Sequence, residues 1–383
     1  MEKSIKQQFP ILQNITYFDS AALVLKPQSA IDAVTDFYTY KSISSRTADT
    51  PLGNHINQTI KQLRHKVAHL IDAQDNEIIF TSGTTESLNI FAEMAKQILK
   101  PGDVILLSAH NHSSNIIPWM EIVEATKSEL VISLDIMQDI KPGVKIVSLS
   151  HETNNFNQSF DIKAIAQKAH EVGAILVDDA AQAIAHQKVS LKQADVIVFS
   201  TNKFYGPTGL GVLAVKESIL KDIKPVRFGG GSVSAINTDN TWSPRNNIGI
   251  HEPGTPNLAG IYMFNASLDF FNQIGYEKTQ EILDDLSNYL HAKLSELDNI
   301  EVSSKAGDYI ALINVKGINA QDVATYLGSK NIYTIAGIFC APYLRNIQPH
   351  HSFLRISLGI YNTYEDIDKL VKELKEGGDF YAF

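Results

Sequence analysis

Phe199-Ser200-Thr201-Asn202-Lys203-Phe204-Tyr205-Gly206-Pro207-Thr208-Gly209 is the stretch on which the reading of this chain turns. The apolar run Val196-Ile197-Val198-Phe199 breaks there into a glycine-rich turn and sets a lysine at the break. A lysine so placed is suited to form a Schiff base with an aldehyde cofactor. Upstream, Ala174-Ile175-Leu176-Val177 runs into Asp178-Asp179, with Gln182 just beyond. An acid on one strand end and a lysine on the next is the pair that pyridoxal phosphate needs. The acid keeps the pyridine nitrogen protonated and the amine holds C4′.

Around these two ends the pattern repeats. Short apolar runs begin at Ile78, Val104, Leu130, Ile146, Ala174, Val196 and Gly211, with helix-like stretches such as Ile162 to Val172 between them. Continuous rather than alternating apolar strands predict burial on both faces, in an α/β sheet of seven mostly parallel strands. Polar residues follow several runs directly: Thr81 to Thr85, His110 to Ser114, His151 to Asn155, Asp179, and Ser200 to Lys203. Such sheets bind ligands at the carboxyl ends of their strands, so these ends point to one site. Past residue 262 the character changes to a long helical stretch, Tyr276 to Leu297, alternating strands near Ile310 and Phe353, and a final helix from Tyr364 to about Leu374. We expect a large cofactor-binding domain over 21–262 and a smaller α+β domain from 1–20 with 263–383. The Gly229–Asn247 stretch, rich in glycine and asparagine, reads as a mobile loop.

The composition bounds the function. A chain of 383 residues, 44% hydrophobic, can bury a large core. With 33 basic against 42 acidic residues, a net −9, it has no basic stripe for nucleic acid. One cysteine permits no intrachain disulfide and suits a reducing compartment. No run is long and apolar enough to span a membrane, and the first ten residues lack a signal-peptide pattern, so the expected location is cytoplasmic.

Each remaining candidate has an ordinary reading beside its functional one. Ser82-Gly83-Thr84-Thr85-Glu86 opens a helix, either as a phosphate seat or as a simple N-cap. His112 is placed to stack on a cofactor ring and shuttle protons, or is a surface loop histidine. Arg355 is placed to clamp a substrate carboxylate, or makes a surface salt bridge. Cys340, among Phe339, Ala341 and Pro342, reads first as a small buried hydrophobe.

Taken together these residues resemble the class V aminotransferase-fold enzymes, of fold type I among pyridoxal-phosphate-dependent transferases. More narrowly they resemble the Suf-type, group II cysteine desulfurases, from about Tyr17 to Leu374. The motifs are Phe18-Asp19-Ser20-Ala21-Ala22 with Lys26-Pro27, Gly83-Thr84-Thr85-Glu86, His112 with Asn115-Ile116-Ile117-Pro118-Trp119, Tyr205-Gly206-Pro207-Thr208-Gly209 after Lys203, and Tyr361-Asn362-Thr363 after Arg355. The resemblance implies that Lys203 carries the cofactor and that Thr84, Thr85, Ser200 and Asn202 serve its phosphate. It further implies that His112 stacks, Asn154 and Gln182 meet the phenolic side, and Asp179 meets the ring nitrogen. Arg355, Asn154 and Arg46 would face the substrate. Thr255, in Gly254-Thr255-Pro256-Asn257, would reach the phosphate in a partner subunit, which implies a homodimer. Cys340 falls at the persulfide position. The activity implied is conversion of L-cysteine to L-alanine, with the sulfur passed from Cys340 to a scaffold-type protein acceptor for iron–sulfur assembly or thiolation. A selenocysteine or cysteine-sulfinate lyase, or another class V lyase or aminotransferase that bypasses Cys340, is the alternative. Two departures stand out. Asn202 replaces the histidine usual before the lysine, and Ile335, Ile338 and Phe339 replace the loop's arginine and histidines. The second leaves Cys340 without the cationic loop neighbours that favour a thiolate.

Overall fold

The structure, a computed structural model, describes residues 5–45, 49–156, 158, 160–348 and 350–376. All seven apolar runs are strands of one sheet. In spatial order they are Ile78–Thr81, Gly211–Val215, Val196–Ser200, Ile175–Asp179, Val144–Ser150, Val104–Ser108 and Glu129–Ser133. Every neighbouring pair is parallel except those made by Gly211–Val215, which runs antiparallel to both neighbours. The carboxyl ends of the other strands therefore share one edge. The register places Ser150 beside Asp179, and both Thr81 and Ser200 beside Gly211.

Helices cover the sheet on both faces. On one face Leu88 and Phe91 of the helix Thr84–Ala95 pack with the fully buried Trp119, whose indole N–H donates to Asn115 Oδ1 at 3.1 Å. The inner strands are buried along most of their length, as continuous apolar runs demand. The edge strand Glu129–Ser133 is different: Glu129 and Val131 are exposed and alternate with half-buried Leu130 and Ile132. Burial on both faces, expected from its apolar run, is not realised there, although the opposite edge strand, Ile78–Thr81, is buried.

A second sheet is antiparallel, in the order Ile300–Val302, Ile310–Val315, Phe353–Ser357, Ile335–Gly337. The N-terminal segment runs alongside it. Thr16–Tyr17 pairs in parallel with Ile332–Tyr333, Asp19 bridges Ser357, and Ser357 N–H donates to Phe18 O at 2.7 Å. Residues of both sheets, among them Val147, Leu176, Ile197, Leu312 and Ile313, share one apolar cluster. The stretch expected to be a loop, Gly229–Asn247, instead contains a hairpin of Val233–Ile236 against Trp242–Pro244. Most of its residues are exposed, and the Trp242 ring meets Phe228 edge-on at 5.7 Å.

Candidate active site

The strand ends enclose a cavity of about 300 Å³. Lys203 enters it from the short turn Thr201–Lys203 that follows its strand. That turn is tightly held. Thr201 Oγ1 donates to Pro207 O at 2.8 Å and Leu210 O at 3.0 Å, and the Lys26 ammonium donates to Asn202 O at 2.9 Å. Tyr205 adopts φ +59, and Gly206 is obligatory because a Cβ there would lie 2.7 Å from the Phe264 ring and 2.9 Å from Thr201 Cβ. Among the described residues the Lys203 ammonium has no hydrogen-bond partner. Burial pulls its pKa down to about 8 against the pull of Asp179.

Asp179 ends the neighbouring strand and is buried. Its Oδ1 accepts from Ala181 N–H at 3.2 Å, and its Oδ2 only grazes Ser150 Oγ at 3.5 Å. Burial raises its pKa to about 6, with Lys203 opposing. A buried carboxylate so thinly satisfied is poised for a cationic partner. Gln182 is fixed from two sides, donating to Ala21 O at 2.8 Å and accepting from Tyr309 Oη at 3.2 Å.

At the other end of the cavity the helix Thr84–Ala95 presents its N-terminus. Its cap residue is Gly83, which has no side chain to offer. Thr84 N–H and Oγ1 both meet Ser200 Oγ, at 2.7 and 2.8 Å, and Thr85 Oγ1 meets Ser114 Oγ at 2.8 Å. Ser82 N–H is taken by the Glu86 carboxylate, and with glycine at the cap position the simple Ser or Thr N-cap reading does not hold. Hydroxyls gathered at an uncapped helix start suit a phosphate. Asn202 lines the same wall. A buried lysine amine, a partner-poor carboxylate and this hydroxyl cluster together fit pyridoxal phosphate.

His112 is half-buried, not a surface loop residue. Its Nδ1 accepts from Ser114 N–H at 3.1 Å, which leaves the ring proton on Nε2. Burial, with Lys203 and Arg355 adding to it, holds its pKa down at about 4, so the imidazole is neutral at working pH. The expected surface salt bridge at Arg355 is also overturned: the residue is only 2% exposed. Its Nη2 donates to Asp19 Oδ1 at 2.6 Å and its Nη1 to Asn154 O at 2.9 Å. The Asn154 side chain in turn donates to Phe339 O at 2.8 Å. Cys340, expected as a buried hydrophobe, is exposed and lines the cavity. Phe339 and Cys340 both adopt left-handed backbone, φ +57 and +56, which turns the phenyl ring inward and leaves the thiol out.

One predicted site residue is not brought to this cavity. Thr255 sits in an exposed segment beside a separate cleft with Ser82 and Arg227. Arg46 lies outside the described residues. Conversely, sequence reasoning assigned no site role to Asp19, Glu152, Ser114 or Phe339. Asp19 and Phe339 meet the Arg355 guanidinium, and Glu152, a cavity-lining carboxylate, accepts from His186 Nδ1 at 2.9 Å. The available signal was an acid set inside an apolar or polar-neutral stretch, as at Phe18-Asp19-Ser20 and His151-Glu152-Thr153.

Fold and cavity together define a class, and comparison with known proteins agrees: the chain belongs to the class V aminotransferase family, whose model matches residues 16–370. It is 34% identical over 388 residues, covering 97% of this chain and 96% of the relative, to a probable cysteine desulfurase of Ureaplasma parvum serovar 3. Among solved structures it is similar to the cysteine desulfurase CsdA of Escherichia coli, with TM-score 0.91, 28% identity and 98% of each chain covered. A cysteine desulfurase from Thermococcus onnurineus gives TM-score 0.92, 27% identity and the same coverage.

Proposed function

We propose that this chain is a pyridoxal-phosphate-dependent cysteine desulfurase that converts L-cysteine to L-alanine and stores the sulfur on Cys340. The observation that carries this is a single cavity lined by Lys203, Asp179, Arg355 and Cys340. Bound pyridoxal phosphate supplies an electron sink for the pair left on the substrate Cα after deprotonation. Lys203 holds the cofactor and, as a neutral amine, takes the Cα proton. Asp179 keeps the ring nitrogen charged. Thr84, Thr85, Ser200 and Asn202 hold the phosphate, His112 covers the ring, and Asn154 and Gln182 face its phenolic side. Arg355 grips the substrate carboxylate.

The Cys340 thiolate then attacks the substrate sulfur. The Cβ–S bond breaks, an S–S bond forms, and Cβ takes up a proton as alanine leaves. The neutral His112 carries its ring proton on Nε2, facing that exchange as a relay. The persulfide passes to a scaffold-type protein acceptor. The group II motifs support a Suf-type reading, and Thr255, which does not line this chain's cavity, would serve the phosphate of a partner subunit in a homodimer. The division into 21–262 and 1–20 with 263–383, Arg46 at the entrance and a cytoplasmic location complete the reading. The test is reconstitution with pyridoxal phosphate followed by addition of L-cysteine. Wild type takes up the yellow cofactor and releases alanine, and Lys203→Ala does neither. Alanine release by Lys203→Ala at the wild-type rate would refute it.

A further inference from the structure

Phe339, the residue before Cys340, is joined to Arg355 by a closed circuit of three contacts through Asn154. Arg355 Nη1 donates to Asn154 O at 2.9 Å, Asn154 Nδ2 donates to Phe339 O at 2.8 Å, and the Phe339 ring lies over the guanidinium with Cζ 4.7 Å from its centroid. Phe339 is itself buried, and its peptide leads straight into the exposed Cys340. On the far side Cys340 O accepts from Ser113 N–H at 2.8 Å, beside the cavity-lining His112. The left-handed backbone at both Phe339 and Cys340 is what lets one side chain face in and the next face out. Arg355 Nε is buried without a hydrogen-bond partner among the described residues.

We propose that Phe339 is a positioning residue that ties the cysteine loop to the carboxylate-binding arginine, so that the thiol is held over an amino acid only while the ring sits on Arg355. The apolar substitutions in this loop then have a purpose: an aromatic ring replaces charge as the anchor. The functional meaning rests on Cys340 being the sulfur acceptor. The tie itself does not depend on turnover and is read without it.

Cys340 is the sole cysteine of the chain, so alkylation by iodoacetamide reports on it alone. The cofactor-loaded protein is alkylated with and without L-alanine, the reaction product, which occupies the carboxylate site but carries no sulfur to transfer. Alanine binding is followed by the change in cofactor absorbance. In wild type, saturating L-alanine slows alkylation by about fivefold, a ratio within the strength of one cation–π contact. In Phe339→Leu alanine still binds, but the protection falls below about twofold because the loop is no longer tied to the arginine. Phe339→Tyr, which keeps the ring, behaves as wild type. With L-cysteine as substrate, Phe339→Leu lowers kcat while alanine affinity is unchanged. Equal protection in wild type and Phe339→Leu, or no protection in wild type, would overturn the tie. Loss of alanine binding in Phe339→Leu would overturn it too, since Phe339 would then belong to the carboxylate grip itself.

Discussion

Replacing Arg355 by methionine strips the half-buried Asp19 carboxylate of its counter-ion. The Arg355 side chain is 2% exposed and that of Asp19 is 18% exposed, with 2.6 Å between Nη2 and Oδ1. Breaking a buried pair by deleting one partner costs about 3–5 kcal/mol, because the remaining charge has nothing to offset its lost hydration. Asp19 retains some contact with solvent, which favours the lower end. Asn154 O also loses a donor, about 1 kcal/mol, and Phe339 loses its cation, about 0.5–2 kcal/mol. A loss of about 5 kcal/mol is therefore expected at neutral pH from these contributions. Adding Asp19→Asn removes the stranded charge and should restore much of it, so the double variant is more stable than Arg355→Met alone. The pH dependence has a definite sign. Burial already lifts the Asp19 carboxyl above its ordinary 3.8 even with Arg355 opposing, and without Arg355 it rises further. A group whose folded pKa is raised contributes stability at pH below 3.8 that disappears as pH climbs through the folded value. Arg355→Met should thus lose stability between pH 4 and neutrality more steeply than wild type. Urea midpoints across that range measure it. A variant within about 1 kcal/mol of wild type, with no added pH slope, would refute the buried-pair argument.

Gly211→Ala places a Cβ 2.4 Å from Gly83 Cα and 2.7 Å from Gly83 N, backbone that moves only with the helix start. It should cost about 1–3 kcal/mol of stability and weaken cofactor binding severalfold, measured by urea midpoint and cofactor titration. Cofactor affinity should fall as pH drops through about 6, where the buried Asp179 takes up a proton and can no longer pair with the ring nitrogen. Asp179→Asn should bind weakly with that pH step gone. The rate at which cofactor-free protein captures pyridoxal phosphate should rise as pH approaches about 8 and then level off, since burial brings the Lys203 amine to neutrality there. A rate still climbing steeply at pH 10 would mean an unperturbed lysine, near 10.5.

The parts legible in the sequence were those written locally. Apolar runs ending in polar residues become strands ending at a site because strand burial and strand-end chemistry are both encoded over a few neighbours, as at Val196 to Lys203. What escaped depends on pairing between distant segments. Asp19 meets Arg355 because the N-terminal segment bridges Ser357, two residues along the strand from the arginine, and nothing near Asp19 announces that. The exposure of Cys340 follows from the backbone at Phe339: an apolar neighbourhood suggested a buried thiol, whereas the left-handed turn buries the phenylalanine instead. How far the faces of an edge strand are covered is likewise a property of the assembled sheet: Glu129–Ser133 alternates where burial on both faces was expected, while the opposite edge, Ile78–Thr81, is buried.

The central claim is sulfur storage on Cys340, and mass analysis of the protein after a brief exposure to L-cysteine without reductant tests it most directly. Wild type should gain one sulfur atom, removable by reductant, on the peptide carrying Cys340, with alanine released in matching amount. Cys340→Ala, loaded with the same cofactor, should gain none and release no alanine. Alanine release by Cys340→Ala equal to wild type would contradict the account and make the enzyme a lyase that expels sulfur without the cysteine.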